Sequence, residues 1–393
     1  MTSTDISDRN DPLTILLGAV EPSGDAIGAA LMDALRAKAP DIRFIGCGGP
    51  LMAGKGLDSL FAIAPLSVMG PIDAFTAFPA ALSGARKLAQ AAASTHADAA
   101  ILIDGWGFSR MAATQIKKRS KNTRLIKFVA PQVWASRPQR AKTLADLFYG
   151  VLTLFEFENQ WLEQEGVATK FVGSPTFQHA AQQRPDGAGF RTCHNVGDAQ
   201  LLAVLLGSRK GEVNRLNGPF RETVERLIAQ RPGLRIVIPV AQAVEKDVSL
   251  LMEDWPGDPI LVRGDDRFGA FAAADAALAT SGTVTTELAI FNTPMICAYR
   301  VGPISAAWMR RVITTPYVSL INIAAGRAVI PEFLQENCLP DDMAAALSLL
   351  LEDTPARDEQ LHAFPLALEK LGVGGPPAAE CAAKTILSWI GER

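Results

Sequence analysis

The stretch 274–300, ADAALATSGTVTTELAIFNTPMICAYR, restricts the possible folds more than any other part of the chain. Its apolar run 276–279 suits a short buried strand, Ser281-Gly282-Thr283 a tight turn, 285–291 a helix and Met295–Tyr299 a second strand. Such a turn aims the free backbone N–H groups and hydroxyls of a helix N-terminus at the carboxyl end of the strand, where an anion such as a pyrophosphate is stabilised. Glu287, expected within the first turn or so of that helix, can accept hydrogen bonds from a vicinal diol such as a ribose. Two readings of the span 281–287 stand side by side. Either it holds the diphosphate and sugar of a nucleotide, or Ser281 and Thr283 cap the helix and Glu287 complements its dipole.

The same grammar opens the chain. Thr14–Ala19 reads as a buried strand, VEPSGD as a loop, and Ile27, Ala30, Leu31, Ala34 and Leu35 form the apolar stripe of a helix that Pro40 and Asp41 end. Residues 42–47 supply a second strand leading into GCGGP. A β-α-β of this size implies parallel strands with a right-handed crossover, and loops at the carboxyl ends of such strands are where ligands bind. Glu21, Ser23, Gly24 and Asp25 occupy that loop; Ser23 or Asp25 reads equally well as a helix N-cap. No G-x-G-x-x-G follows the strand, so nothing here marks a dinucleotide site.

Further strand-helix alternation follows. DAAILID at 98–104 ends a strand on a carboxylate, and Asp104 is the best general-base candidate in the chain, the alternative being a residue that only orders the turn before GWGFSR. Residues 125–130, the loop PQVWASRPQR, and the strands 150–154 and 169–172 continue the series. Residues 173–200, rich in Pro, Gly and Gln, lose the apolar rhythm. A fresh series starts at 201–206 and runs into GSRKGE, where Ser208 and Arg209 suit phosphate oxygens, unless Arg209 and Glu212 are a solvated ion pair. The expected organisation is α/β, with two Rossmann-like domains facing a cleft. The first spans 13–173 and carries the base; 174–200 is a linker; 201–365 forms the second domain; and 366–393 is a C-terminal helix open to packing back on the first.

Composition narrows the partners. With 48% hydrophobic and 20% charged residues in 393, the chain is globular, and a formal charge of -3 without a Lys/Arg run argues against nucleic acid. The five cysteines show no metal or redox spacing and read as small core residues of a reducing compartment. The polar, acidic opening MTSTDISDRNDP does not read as an export signal, and the apolar run from 59 to 85 is broken by Pro65, Pro71 and Pro79. Phe75, Phe78 and Leu82 sit at helical spacing in a segment uncharged from 74 to 85, which fits a core helix or a lipid-facing, acyl-binding surface.

VEPSGD, LSVMG, ILIDGWGF, VAPQVWASRPQR, LLGSRKGE, ATSGTVTTE and YVSLINIAAGR occur in the order and at roughly the spacing of the lipid-A-disaccharide synthases. The chain resembles that family from about 15 to 335. The resemblance implies a GT-B glycosyltransferase that needs no metal or other cofactor. It would take a UDP-2,3-diacylglucosamine donor and a 2,3-diacylglucosamine 1-phosphate acceptor to the β-1,6 disaccharide and UDP, in the cytoplasm and peripherally on the inner membrane, with a homodimer left open. It also implies that Arg209 and the turn Ser281, Gly282 and Thr283 hold the diphosphate, with Glu287 on the ribose. Asp104 would take the acceptor proton, and Glu21, Ser23, Met69, Asn322 and Arg327 match further functional positions. Gly107, Ser109 and Ser174 depart from the family's usual Asp, Asn and His. Two other readings remain on these grounds: another GT-B enzyme such as a UDP-sugar epimerase, and a non-catalytic binder of a nucleotide-sugar lipid.

Overall fold

The computed structural model describes residues 12–66, 71–302, 305–306, 309, 311, 313 and 315–392, with only the backbone of 71–76. Two compact units divide the chain: Met1–Pro175 with Gly375–Arg393, and Thr176–Gly374. Each is built on its own six-stranded sheet in which every pairing is parallel.

In the first unit the strands are β1 (Thr14–Ala19), β2 (Arg43–Cys47), β3 (Ala99–Ile103), β4 (Arg124–Phe128), β5 (Gly150–Thr153) and β6 (Ala168–Phe171), in the spatial order β2-β1-β3-β4-β5-β6. Both faces of β1 are buried, which is why it reads as a continuous apolar run. Ile15 and Leu17 join Leu31 and Leu35 of helix Pro22–Lys38 in one core, whereas Leu16 meets Leu88, Leu102 and Ile116 in the other. The first of these cores is completed from the far end of the chain by Ala382, Ile386 and Trp389 of helix Ala378–Gly391. Gly150 permits this approach, since a Cβ there would lie 2.5 Å from the Trp389 ring.

The second unit contains β7 (Leu201–Leu205), β8 (Arg235–Val240), β9 (Ile260–Arg263), β10 (Ala276–Thr280), β11 (Met295–Tyr299) and β12 (Glu332–Leu334), ordered β12-β11-β10-β7-β8-β9. The strand order reverses between β1 and β3 in one sheet and between β7 and β10 in the other. At such points neighbouring connections leave on opposite faces, and a crevice opens at the carboxyl ends of the two strands.

Several sequence expectations change. The segment 174–200 is largely helical: Pro175–Gln182 and Gly187–Cys193 are helices, the second N-capped by Asp186 accepting from Gly189 N, and Phe177 and Phe190 are buried. The 365/366 boundary falls inside helix Pro355–Lys370. Cys47, Cys297 and Cys338 are buried, but Cys193 is exposed, because it ends a helix whose buried face is set by Phe190, and Cys381 is only partly covered. Phe78, for which a core-facing and a lipid-facing place were both open, is 53% exposed on helix Pro71–Ser94, while the inward face of that helix is carried by Ala85, Leu88, Ala89 and Ala92. The side chain of Phe75 and all of Met69 lie outside the described residues.

Candidate active site

At the first switch point, the loops leaving β1 and β3 bring Glu21, Ser23 and Asp104 together. Glu21 is the extended N-cap of helix Pro22–Lys38 and makes no side-chain cap bond, while Pro22 at the first position removes one of the N–H groups a cap would serve. Of the two capping candidates, Ser23 instead donates to Asp104 Oδ2 at 2.9 Å. Asp25 is buried and accepts from the backbone N–H of Gly49, Leu51 and Met52, at 2.8, 2.9 and 3.0 Å, holding the start of the short helix Pro50–Gly54.

Asp104 and Gly105 both take left-handed backbone angles, φ 49° and 46°. Aspartate tolerates that region better than most residues, which explains its place at the end of β3. Three bonds hold the turn. Asp104 N donates to Phe128 O at 2.9 Å, and its carbonyl accepts from Ser109 Oγ at 2.7 Å and Lys127 Nζ at 2.6 Å. Ser109, one of the departures from the family pattern, is therefore a buried brace of this turn. Gly107 is exposed, and a Cβ there would meet nothing within 4 Å. Ser174, the third departure, is buried.

Lys127 was not expected from the sequence. It is 1% exposed, and its ammonium also donates to Leu102 O at 3.1 Å and Phe128 O at 3.0 Å, so each of its three protons has a carbonyl partner. Burial pulls its pKa down to about 7, against the opposing charges of Asp104 and then Glu21. Glu21 is pushed up from its ordinary value, chiefly by burial and then by the Asp104 charge, with Lys127 acting in the other direction. The one clue in the sequence was a single charge between Arg124 and Arg137, set between Ile126 and Phe128.

The second switch point carries the proposed nucleotide residues. Gly207, at φ 111°, lets the chain turn over Glu212, whose Oε2 would lie 2.7 Å from a Cβ at that position. Glu212 is buried and accepts from Ser208 N, Arg209 N and Arg209 Nη1. The Arg209–Glu212 pair thus forms, at 2.9 Å, but it is not a solvated one: Arg209 remains 67% exposed, whereas its carboxylate partner is 10% exposed. From the neighbouring strand, Thr280 Oγ1 donates to Leu205 O and ties β10 to β7.

The helix after β10 is Thr283–Ile290, two residues longer at its start than expected, with Gly282 as N-cap and no side chain capping it. Ser281 does not serve as a cap either, because its hydroxyl donates to Val318 O at 3.2 Å. A Cβ on Gly282 would meet nothing within 4 Å, so the approach to the first-turn N–H groups is open. Glu287 is the fifth helical residue, two residues deeper than expected, and is buried against Arg267, whose Nε donates to its Oε2 at 3.3 Å. Arg267 also stacks on Phe268 and pairs with Asp265, and nothing in RGDDRFGAF singled it out.

Arg327 stands apart from these groups, and Asn322 reaches Ser281 only through the loop at Val318 and Ser319. Asn322 Oδ1 accepts from Val329 N and Ile330 N, and its amide donates to Ile330 O and Glu332, so its four hydrogen-bonding positions serve its own chain. Glu332 also accepts from Val318 N and Ser319 N and pins this segment to β12. Arg327 pairs with Glu359 at the surface, 2.6 Å away. Among the described residues no group of His, Cys, Asp and Glu is placed to hold a metal ion.

A family model described as lipid-A-disaccharide synthetase matches residues 15–386. The lipid-A-disaccharide synthases of Paramagnetospirillum magneticum and Rhodospirillum centenum are 40% and 39% identical to the chain, over 96% and 97% of it and 98% and 96% of their own lengths. Among solved structures, a putative UDP-N-acetylglucosamine 2-epimerase from Listeria monocytogenes shares the fold at a TM-score of 0.60 and 11% identity, covering 96% of this chain and 95% of that one.

Proposed function

The chain belongs to the lipid-A-disaccharide synthase family and is a glycosyltransferase of the GT-B fold; on that premise we propose how its residues divide the reaction. The donor is UDP-2,3-diacylglucosamine and the acceptor 2,3-diacylglucosamine 1-phosphate. The acceptor hydroxyl oxygen forms a bond to the anomeric carbon of the donor, the bond from that carbon to UDP breaks, and the hydroxyl proton passes to Asp104.

The observation that carries this reading is the bond from Ser23 to Asp104 Oδ2 at a topological switch point. It engages Oδ2 and leaves Oδ1 to accept a proton. Lys127 and Ser109 position the turn through the Asp104 carbonyl. Glu21, half-buried beside it, is the second candidate base.

In the other unit, the uncapped start of helix Thr283–Ile290 and the exposed guanidinium of Arg209 supply donors for the UDP diphosphate and for the charge that develops as it leaves. Glu287, held by Arg267, takes the ribose. Asn322 acts by shaping the loop next to Ser281, not by touching substrate.

The acylated substrates also suggest a membrane surface. Phe78 is exposed on an uncharged helical stretch, which favours peripheral association through apolar area entering the lipid interface. Among the described residues no helix is long and apolar enough to cross a membrane. Release of UDP on mixing the two acylated substrates tests the reaction. A protein that binds UDP but never releases it from the donor would be a binder and not a transferase.

A further inference from the structure

VAPQVWASRPQR and, apart from Ser109, GWGFSR have no role in the reaction described above. They place Arg110 on helix Trp106–Arg119 after β3, Arg137 in the loop after β4, and Arg140 at the start of helix Arg140–Leu147. Arg140 lies over the Trp106 ring, 5.9 Å from its centroid. Arg110 is one helical turn on from Trp106, so it shares a helix face with Trp106 and Gly107. All three arginines are therefore set at the carboxyl-end side of the first sheet, two to six residues of chain beyond Asp104 in the case of Trp106 and Arg110.

The electrostatics at Arg140 are one-sided. Burial, and then the charges of Arg137 and Arg110, press the Arg140 guanidinium below its ordinary pKa, with no carboxylate acting against them. Among the described residues neither Arg110 nor Arg140 forms an ion pair with a carboxylate. Like charges held together in this way repel unless an anion neutralises them. The neighbouring surface has room for one, because Gly107 is exposed and a Cβ there would touch nothing within 4 Å.

We propose that Arg110, Arg137 and Arg140 form a phosphate-monoester subsite, which in the transferase holds the 1-phosphate of the acceptor sugar. A phosphate dianion offers three oxygens and a second negative charge, so it can pair with more than one guanidinium fork at once, whereas a carboxylate has two oxygens and one charge and a neutral sugar has no charge. The identity of the ligand rests on the transferase reading, whereas the anion-holding geometry does not. The same chemistry would also suit the phosphate of a lipid headgroup, and the test separates the two.

Arg140→Gln and Arg110→Gln are assayed with 2,3-diacylglucosamine 1-phosphate and with its dephosphorylated counterpart as acceptor. Each variant should raise KM for the phosphorylated acceptor about 10- to 100-fold, the loss of a charge-assisted contact, and move KM for the other less than about twofold. Equal effects on both acceptors, or none, overturn the subsite. Should Arg140→Gln fail to fold because of its contact with Trp106, Arg110→Gln, at an exposed position, carries the test alone. Sedimentation with phosphatidylglycerol and phosphatidylcholine vesicles is the second arm. Variants that lose the preference for the anionic vesicles but keep the preference for the phosphorylated acceptor assign the cluster to headgroups and overturn the proposal. If the wild-type protein releases no UDP with either acceptor, it is the transferase reading that fails. Calorimetry with glucosamine 1-phosphate then decides the subsite: affinity at least about tenfold weaker in Arg110→Gln supports it, and equal affinity overturns it.

Discussion

Ser23 Oγ donates a 2.9 Å hydrogen bond to Asp104 Oδ2 across 81 positions of sequence. Parallel pairing of β1 with β3 makes the contact possible, since it sets the loops that follow the two strands side by side. The bond fixes one carboxylate oxygen and leaves the other to the acceptor. Ser23→Ala should lower kcat roughly three- to tenfold, about 1 kcal/mol for an orienting hydrogen bond near solvent, without changing UDP affinity. A kcat equal to that of the wild type would show that Asp104 needs no such partner.

The nucleotide assignment predicts a loss in binding. Glu287→Gln removes a charged acceptor and the partner of Arg267, and should weaken UDP by ~1–3 kcal/mol in calorimetry. Unchanged affinity would leave Glu287 as a buried counter-ion for Arg267 and nothing more.

The strand-helix alternation was legible because parallel strands covered on both faces must be apolar throughout, as Thr14–Ala19 and Ala276–Thr280 are. Asp104, Glu21 and Ser281 were legible because carboxyl ends of strands carry the ligand loops. Lys127 and Arg267 were not. The partners of Lys127 are main-chain carbonyls of β3, its turn and β4, which no sequence pattern announces. Arg267 meets Glu287 from a different helix, 20 positions away. The outward turn of Phe78 was open at the sequence level, because an apolar residue at helical spacing looks the same whether its face meets a core or a lipid.

Lys127 gives a pH-dependent signature of stability. Its folded pKa, about 7, lies below the ordinary 10.5, so between those values the unfolded chain holds more proton than the folded one and this residue makes stability rise with pH. Its contribution is most unfavourable below about pH 7 and vanishes above about pH 10.5. Denaturant unfolding of Lys127→Met and the wild type should therefore diverge in slope over that window, by up to ~1.4 kcal/mol per pH unit in favour of the wild type as pH rises. Parallel curves would mean that the buried ammonium keeps an ordinary pKa.

Phe78, 53% exposed, makes the membrane reading testable at one position. Phe78→Ser should reduce sedimentation with liposomes by about three- to thirtyfold, given ~1–2 kcal/mol for part of an aromatic side chain entering the interface. Undiminished binding would mark the residue as inert surface.

Asp104, as the proposed base, accepts the proton of the acceptor hydroxyl. Asp104→Asn preserves the side-chain shape and can still accept from Ser23 Oγ, but it cannot take up a proton. The decisive measurement is UDP release by the wild-type and Asp104→Asn proteins from both acylated substrates, alongside calorimetry of UDP. Turnover should fall by ~10²–10⁴-fold, the usual contribution of a positioned base, while UDP affinity stays within about twofold because the nucleotide residues belong to the other unit. An Asn variant that keeps more than about a third of the wild-type rate would contradict that role, leaving Asp104 as a turn residue and Glu21 as the group to test next.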